Sequence, residues 1–229
     1  MQRRPLIAAA ALAACLPLAH TGAQAQDFPP KKPITLVVGF AAGGSADIAA
    51  RVIAKKLGEN IGQSVIVDNK PGAGGNLAHA QVAAGPADGT VLLFGSIGPL
   101  SIAPHFMSVR YDPLKDLAPI TMGVTFPNVL VVPASTGIKT LGEFVAKARR
   151  EPGKLDFAST GPGSAAHLAG ELLNDVAKID TVHVPYKGGA PALQDVLGGR
   201  LASFYAAPPT ALPHIEASHL IPLATPGLT

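Results

Sequence analysis

Short apolar runs alternate along this chain with longer segments whose apolar residues recur at helical spacing. Residues 34–38 are apolar and rich in β-branched side chains, which predicts a buried strand. Residues 47–61 carry Ile48, Val52, Leu57 and Ile61 at near-helical spacing and predict a helix. The same reading places strands at 65–67, 91–94, 155–158, 181–184 and 203–206, with helices at 77–84, 164–177, 191–197 and 211–217. In the 164–177 helix, Leu168, Leu172, Leu173 and Val176 form the expected apolar side. Strands are also expected at 120–125 and 129–132, a helix at 141–150 stopped by Glu151-Pro152-Gly153, and a last apolar run at 220–224. Strands and helices alternating at this length define an α/β protein with parallel sheets flanked by helices. The rhythm breaks between Phe94 and Val129, which suggests two lobes rather than one sheet.

Three glycine-rich stretches fall where predicted strands end and helices begin: residues 40–47, 95–99 and 159–167. A helix start exposes unpaired N–H groups and a partial positive charge, so it holds an anion without a basic side chain. Gly43 and Gly44 let the backbone approach a ligand, and Ser45 can cap the helix or face the cleft; a plain cap built on turn glycines is the competing reading. Two such loops, from two lobes facing each other, would make a cleft lined with N–H donors and hydroxyls beyond the carboxyl ends of the strands.

Composition narrows the candidates. The first 25 residues read as a secretory leader, with Arg3 and Arg4, an apolar run, and a small-x-small cleavage site at Ala23-Gln24-Ala25. Leu12-Ala13-Ala14-Cys15 also matches a lipoprotein box; because the apolar run continues past Cys15, we expect the soluble form. Cys15 is the only cysteine, so a chain starting at Gln26 has neither disulfide nor thiolate metal site. Removing Arg3 and Arg4 takes the formal charge from +3 to +1, and with no basic stripe this argues against nucleic acid. Only 5% of residues are aromatic, which argues against a site that stacks sugars or bases.

Enzymatic signatures are weak. Gly161-Pro162-Gly163-Ser164-Ala165-Ala166 fits the G-x-G-x-x-A dinucleotide pattern, but the next strand carries His183 and Pro185 and lacks the acidic residue expected at its end. No Gly-Lys-Ser/Thr follows a glycine loop, and Ser96 lacks the glycine needed two residues before it for G-x-S-x-G. His214 and His219 are five apart, off one helical face and without a third ligand, so no metal site is expected there. His79, His105, His167 and His183 are scattered; of these His167 lies near a cleft helix start. Asp47 favours its own helix N-terminus, and Lys187 either sits at the cleft or is a solvated turn residue.

Taken in order, residues 34–40, 43–47, 68–76, 111–116, 167–172 and 183–188 resemble the Bug family, the extracytoplasmic solute receptors of tripartite tricarboxylate transporters. The resemblance runs from about Pro33 to Leu223. It implies a two-lobed, Venus-flytrap binding protein without catalysis or cofactor, periplasmic and monomeric. It also implies a small carboxylate ligand (a di- or tricarboxylate, an acidic amino acid or an aromatic acid) delivered to a membrane transporter or a sensor kinase. The implied lobes are 26–127 and 128–223, after a leader at 1–25 and before a tail at 224–229. The implied ligand positions are Phe40, Ala42, Gly43, Gly44, Ser45, Ala46, Asp47, Ser96, Thr160, Gly161, Gly163, Ser164 and Ala165, with His167, Tyr186 and Lys187 beside them. Ala41 and Ala42 stand where the family usually has prolines, and Ala206 and Ala207 where many members carry a polar residue. Family members continue beyond the equivalent of Thr229, so lobe 1 is expected to lack its return segment. A nucleotide-dependent oxidoreductase and a non-functional remnant are the alternatives.

Overall fold

The computed structural model describes residues 29–226. The leader, its cleavage site and Cys15 lie outside the described residues. Two sheets organise the chain. The first is wholly parallel, in the order β2-β1-β3, from β1 (Ile34–Val38), β2 (Val65–Asn69) and β3 (Val91–Phe94). The second has the order β6-β5-β7-β4-β8, from β4 (Val129–Pro133), β5 (Asp156–Ser159), β6 (Val182–Pro185), β7 (Ser203–Ala206) and β8 (Leu220–Ala224). Here β6, β5 and β7 are parallel, whereas β4 runs antiparallel to β7 and β8. Pro222 lacks an N–H, and it is tolerated because β8 is an edge strand with a register shift there.

Helices α1 (Ser45–Ile61) and α2 (Asn76–Ala83) accompany the first sheet; α3 (Leu141–Arg150), α4 (Ala165–Ala177), α5 (Gly189–Leu197) and α6 (Pro208–Glu216) accompany the second. The second sheet holds the larger core. Phe144, Phe157 and Phe204 are almost wholly enclosed, and each such ring contributes roughly 1.5–3 kcal/mol by burial. Under the first sheet, Leu36, Val38, Ala50 and Ala54 form a smaller cluster.

Two expectations are corrected. First, Ile48 and Val52 of α1 and Leu168, Leu172 and Val176 of α4 do not face the core, whereas Leu173 packs against it. Ala50 and Ala54 are the buried apolar residues of α1, while Ile48 and Val52 are exposed; in α4, Ala166, Ala169 and Gly170 are buried while Leu168, Leu172 and Val176 are exposed. The cause is closeness of approach: a Cβ on Gly170 would sit 2.1 Å from the Phe157 ring, so only small residues fit that face. Leu172, Leu173 and Val176 instead line an apolar recess of about 220 Å³ with Leu130, Tyr205 and Pro226. Second, residues 120–125 are not a strand. Ile120 and Met122 are exposed, and no neighbouring strand among the described residues offers them a ladder.

Candidate functional site

The loops that follow the carboxyl ends of β1, β2, β3, β5, β6 and β7 meet one another. After β1, the Ala41 N–H donates to Lys187 O at 2.9 Å, a main-chain bond between the two sheets' loops. Gly44 lies against Gly189 and Ala190, and Ser45 Oγ is 3.1 Å from Thr210 Oγ1 and 3.5 Å from Ala207 O. After β2 and β3, Gly74 abuts Gly161 and Pro162, and Gly98 abuts Gly163 and Ser164. The expected pairing of the 40–47 loop against the 159–167 loop is therefore crosswise. The first loop faces the starts of α5 and α6, and the second faces the loops after β2 and β3.

Which N–H groups are free differs from the expectation. Gly43 donates to Asp47 Oδ2 (2.9 Å), Gly161 to Ser159 Oγ (3.0 Å), Gly163 to His167 Nδ1 (3.2 Å), and Gly44 to Ala41 O (3.4 Å). The glycines thus close their own turns; Gly43, Gly161 and Gly163 all have positive φ, which other residues rarely adopt. At the starts of α1 and α4, the N–H groups of Ser45, Ala46 and Asp47, and of Ala165 and Ala166, have no hydrogen-bond partner among the described residues. Gly44, not Ser45, is the α1 N-cap; Ser164 caps α4, accepting from the His167 N–H at 3.2 Å.

The side chains divide into those engaged internally and those left open. Asp47 is buried, and its Oδ2 takes Arg51 Nε (3.0 Å) besides Gly43, with Oδ1 3.0 Å from Arg51 Nη2. Burial raises its carboxyl pKa, but Arg51, the Gly43 N–H and Asn69 outweigh that and hold it below the ordinary value. The carboxylate is therefore a turn-builder, and only the Asp47 N–H faces outward as a donor. Tyr186 also turns away: its hydroxyl donates to Asp195 Oδ2 at 2.5 Å. Burial, then that bond, pushes its pKa up to about 12. His167 accepts from Gly163, lies 3.6 Å from Glu171 Oε1, and stacks on His183 with centroids 4.0 Å apart. Lys187 is exposed and its ammonium has no partner among the described residues. The half-buried Thr160 hydroxyl makes no hydrogen bond among them either. Phe40 packs its ring beside Gly75. Ala42 is exposed at the loop tip, and Ala46 is half-buried.

Ser96 stands apart. Its N–H donates to His79 Nε2 at 3.3 Å, yet its Oγ is buried without any hydrogen-bond partner. A buried hydroxyl left unpaired costs about 1–3 kcal/mol, which marks the place where a polar ligand atom or a water belongs.

Three contributors escape a reading of sequence alone. His79 is fully buried, and its Nδ1–H donates to Gly75 O at 2.9 Å, tying the loop after β2 to the loop after β3. Burial lowers its pKa, against the opposing effect of the Gly75 hydrogen bond. His183 bonds the fully buried Ser159 Oγ at 2.6 Å and stacks on Phe157. The Thr210 hydroxyl, which donates to Ala207 O at 3.1 Å and lies 3.1 Å from Ser45 Oγ, stands beside Ala206 and Ala207, where a polar contact is expected to be lost. Proline at the first helical position is a start signal; applied to Pro208 it would have opened α6 there rather than at Ala211, bringing Thr210 into the first turn.

The dinucleotide pattern at Gly161 meets a steric obstacle. A Cβ on Gly161 would lie 2.8 Å from Gly74 Cα, and one on Gly163 would lie 2.6 Å from the Phe106 ring. Protein therefore packs closely against both glycines of the pattern.

An α/β chain whose two sheets bring their carboxyl-end loops together around unpaired helix-start amides has the two-sheet architecture of the periplasmic-binding-protein fold. Comparison with known proteins gives the family. Residues 49–227 match the model of the tripartite tricarboxylate transporter family receptor, and the chain belongs to that family. It is similar to BugT of Bordetella pertussis, 39% identical over 197 residues, covering 85% of this chain and 60% of that one. Among solved structures it resembles R. palustris Rpa4515 with adipate (35% identity, TM-score 0.83, 87% of this chain and 67% of that one). It also resembles MatC (Rpa3494) from Rhodopseudomonas palustris with bound malate (31% identity, TM-score 0.82, 86% and 68%). The chain spans 59–70% of the length of the relatives first matched by sequence. No helix among the described residues is long and apolar enough to cross a membrane.

Proposed function

We propose that this protein is a non-catalytic periplasmic receptor that captures a small carboxylate between two lobes, 26–127 and 128–223, and passes it to a membrane transporter or a sensor. The observation that carries the reading is the buried, unpartnered Ser96 hydroxyl at the junction of loops that also leave the α1 and α4 amides unpaired. Such a set holds a carboxylate with neutral donors and two helix starts. The adipate and malate bound by two structural neighbours support the ligand class. In this reading Ser45, Ala46, Asp47, Ala165 and Ala166 act through their N–H groups, and Ser96, Thr160 and Thr210 through hydroxyls. Gly43, Gly44, Gly161 and Gly163 shape the turns, Ser164 caps its helix, and Lys187 supplies the long-range positive charge. Hinge closure brings the loops to the contact described above.

Calorimetric titration with a panel of dicarboxylates, tricarboxylates, acidic amino acids and aromatic acids tests this, with a nicotinamide dinucleotide as the control. At least one carboxylate should bind with release or uptake of heat, and its affinity should fall at least tenfold in Ser96→Ala. Silence across the panel, or binding of the dinucleotide alone, would overturn it.

A further inference from the structure

The far end of the second sheet holds a second cluster of functional groups. Since β4 is antiparallel to β7, its end at Pro133 lies opposite the carboxylate loops, and the end of α6 lies there too. Helix α6 closes with a Schellman turn. Ser218 takes a left-handed φ of 58°, its N–H donates to Ile215 O (2.9 Å), and the His219 N–H donates to His214 O (2.8 Å). This motif folds the residue two beyond the cap back over the third residue from the helix end, a place where two apolar side chains commonly touch. Here both positions are histidine. Spacing that separates them on an ideal helix thus brings them together, with ring centroids 6.2 Å apart and planes inclined by 36°. The Ala134 N–H, donating to His219 O at 3.0 Å, fixes the turn against the end of β4.

The two rings open on a recess of about 430 Å³ that Ser135 and Ser218 also line. Neither imidazole makes a hydrogen bond among the described residues, so both can present a ring nitrogen. A metal bound at about 2.0–2.1 Å by two imidazoles sets their centroids roughly 4.5–6.4 Å apart as the N–metal–N angle opens from about 90° to 180°. The observed separation lies within that span.

We propose that His214 and His219 form a two-imidazole site for a divalent transition cation, with water completing the coordination. No third His, Cys, Asp or Glu joins them among the described residues, so the cation keeps open positions. Imidazole donors and the Irving–Williams order place Cu²⁺ first, ahead of Ni²⁺ and Zn²⁺. The site is separate from the carboxylate loops and does not depend on their function.

The test uses mature, tag-free protein titrated with Cu²⁺ and, separately, Zn²⁺, followed by calorimetry and electron paramagnetic resonance. One Cu²⁺ per chain is expected, with hyperfine structure from two nitrogens and weaker binding of Zn²⁺. His214→Gln and His219→Gln should each lower Cu²⁺ affinity at least tenfold and remove one nitrogen from the spectrum. Circular dichroism and the melting midpoint verify that each variant is folded; if one is not, Ala134→Pro, which breaks only the bond to His219 O, takes its place and should also weaken binding. Unchanged Cu²⁺ affinity in the folded variants, loss in only one of them, or no Cu²⁺ uptake by the parent chain would overturn the proposal.

Discussion

The His79 imidazole accepts the Ser96 N–H at 3.3 Å while its other nitrogen donates to Gly75 O at 2.9 Å. A carbonyl can only accept, so the proton must sit on Nδ1 and the ring must be neutral. One buried side chain therefore sets the separation of two loops whose tips touch the loop after β5.

Replacing His79 by alanine leaves a cavity and two unpaired main-chain groups. We expect His79→Ala to cost about 2–4 kcal/mol in urea unfolding and to weaken carboxylate binding. His79→Gln, whose amide oxygen can still accept from Ser96, should recover part of both losses. A glutamine variant no better than alanine would remove the positioning role.

Ser96→Ala should behave in the opposite sense. The hydroxyl has no partner to lose, so the melting midpoint should hold or rise slightly. Carboxylate affinity should fall by about 1.5–3 kcal/mol, the range for a hydrogen bond to a charged group. Loss of stability with unchanged affinity would contradict this assignment.

Acid should loosen the second sheet and its helices through His183. Burial first, and the neighbouring His167 second, lower its pKa from the ordinary 6.5 to about 4. The folded state then resists protonation while the unfolded chain takes up a proton as pH falls through 6.5, so stability present above that value is lost between 6.5 and about 4 and levels off below. Glu171 lies 3.6 Å from Nε2 of the neighbouring His167. Denaturant midpoints measured across this window should drop less steeply for His183→Gln than for the parent chain.

Gly74→Ala should prop the loops apart. The added Cβ would lie 2.3 Å from Pro162 O, at a φ of 64° that alanine resists. We expect a slower-closing, weaker binder whose radius of gyration, measured by small-angle scattering with ligand present, exceeds that of the parent. Gly62→Ala, also at positive φ but with nothing within 4 Å, should destabilise without changing the scattering curve.

The α/β rhythm was legible because most strands are short apolar runs and glycine or proline lies near an end of each helix. Strands at 34–38, 91–94 and 203–206 and the helix at 141–150 stand where the pattern places them. Helix faces were less legible. Periodicity assigns Leu168, Leu172 and Val176 inward, but alanine and glycine face the Phe157 ring because the helix approaches so closely. The stretch at 120–125 looks like a strand by composition, yet a strand needs a neighbour that local pattern does not reveal. The glycine loops announced the candidate site. Which of them meet did not stand out, since the contacts of Gly74 with Pro162, Gly98 with Gly163 and Ser45 with Thr210 are distant in sequence. The histidine pair at the end of α6 was hidden for the same kind of reason, because helical spacing says nothing about the turn that follows.

The bond from the Ala41 N–H to Lys187 O joins the halves through main-chain atoms alone. A latch of that kind is indifferent to which side chains surround it. Cargo preference can drift by exchange of a few hydroxyls and alanines around the loops while the seating of one half on the other stays as it is.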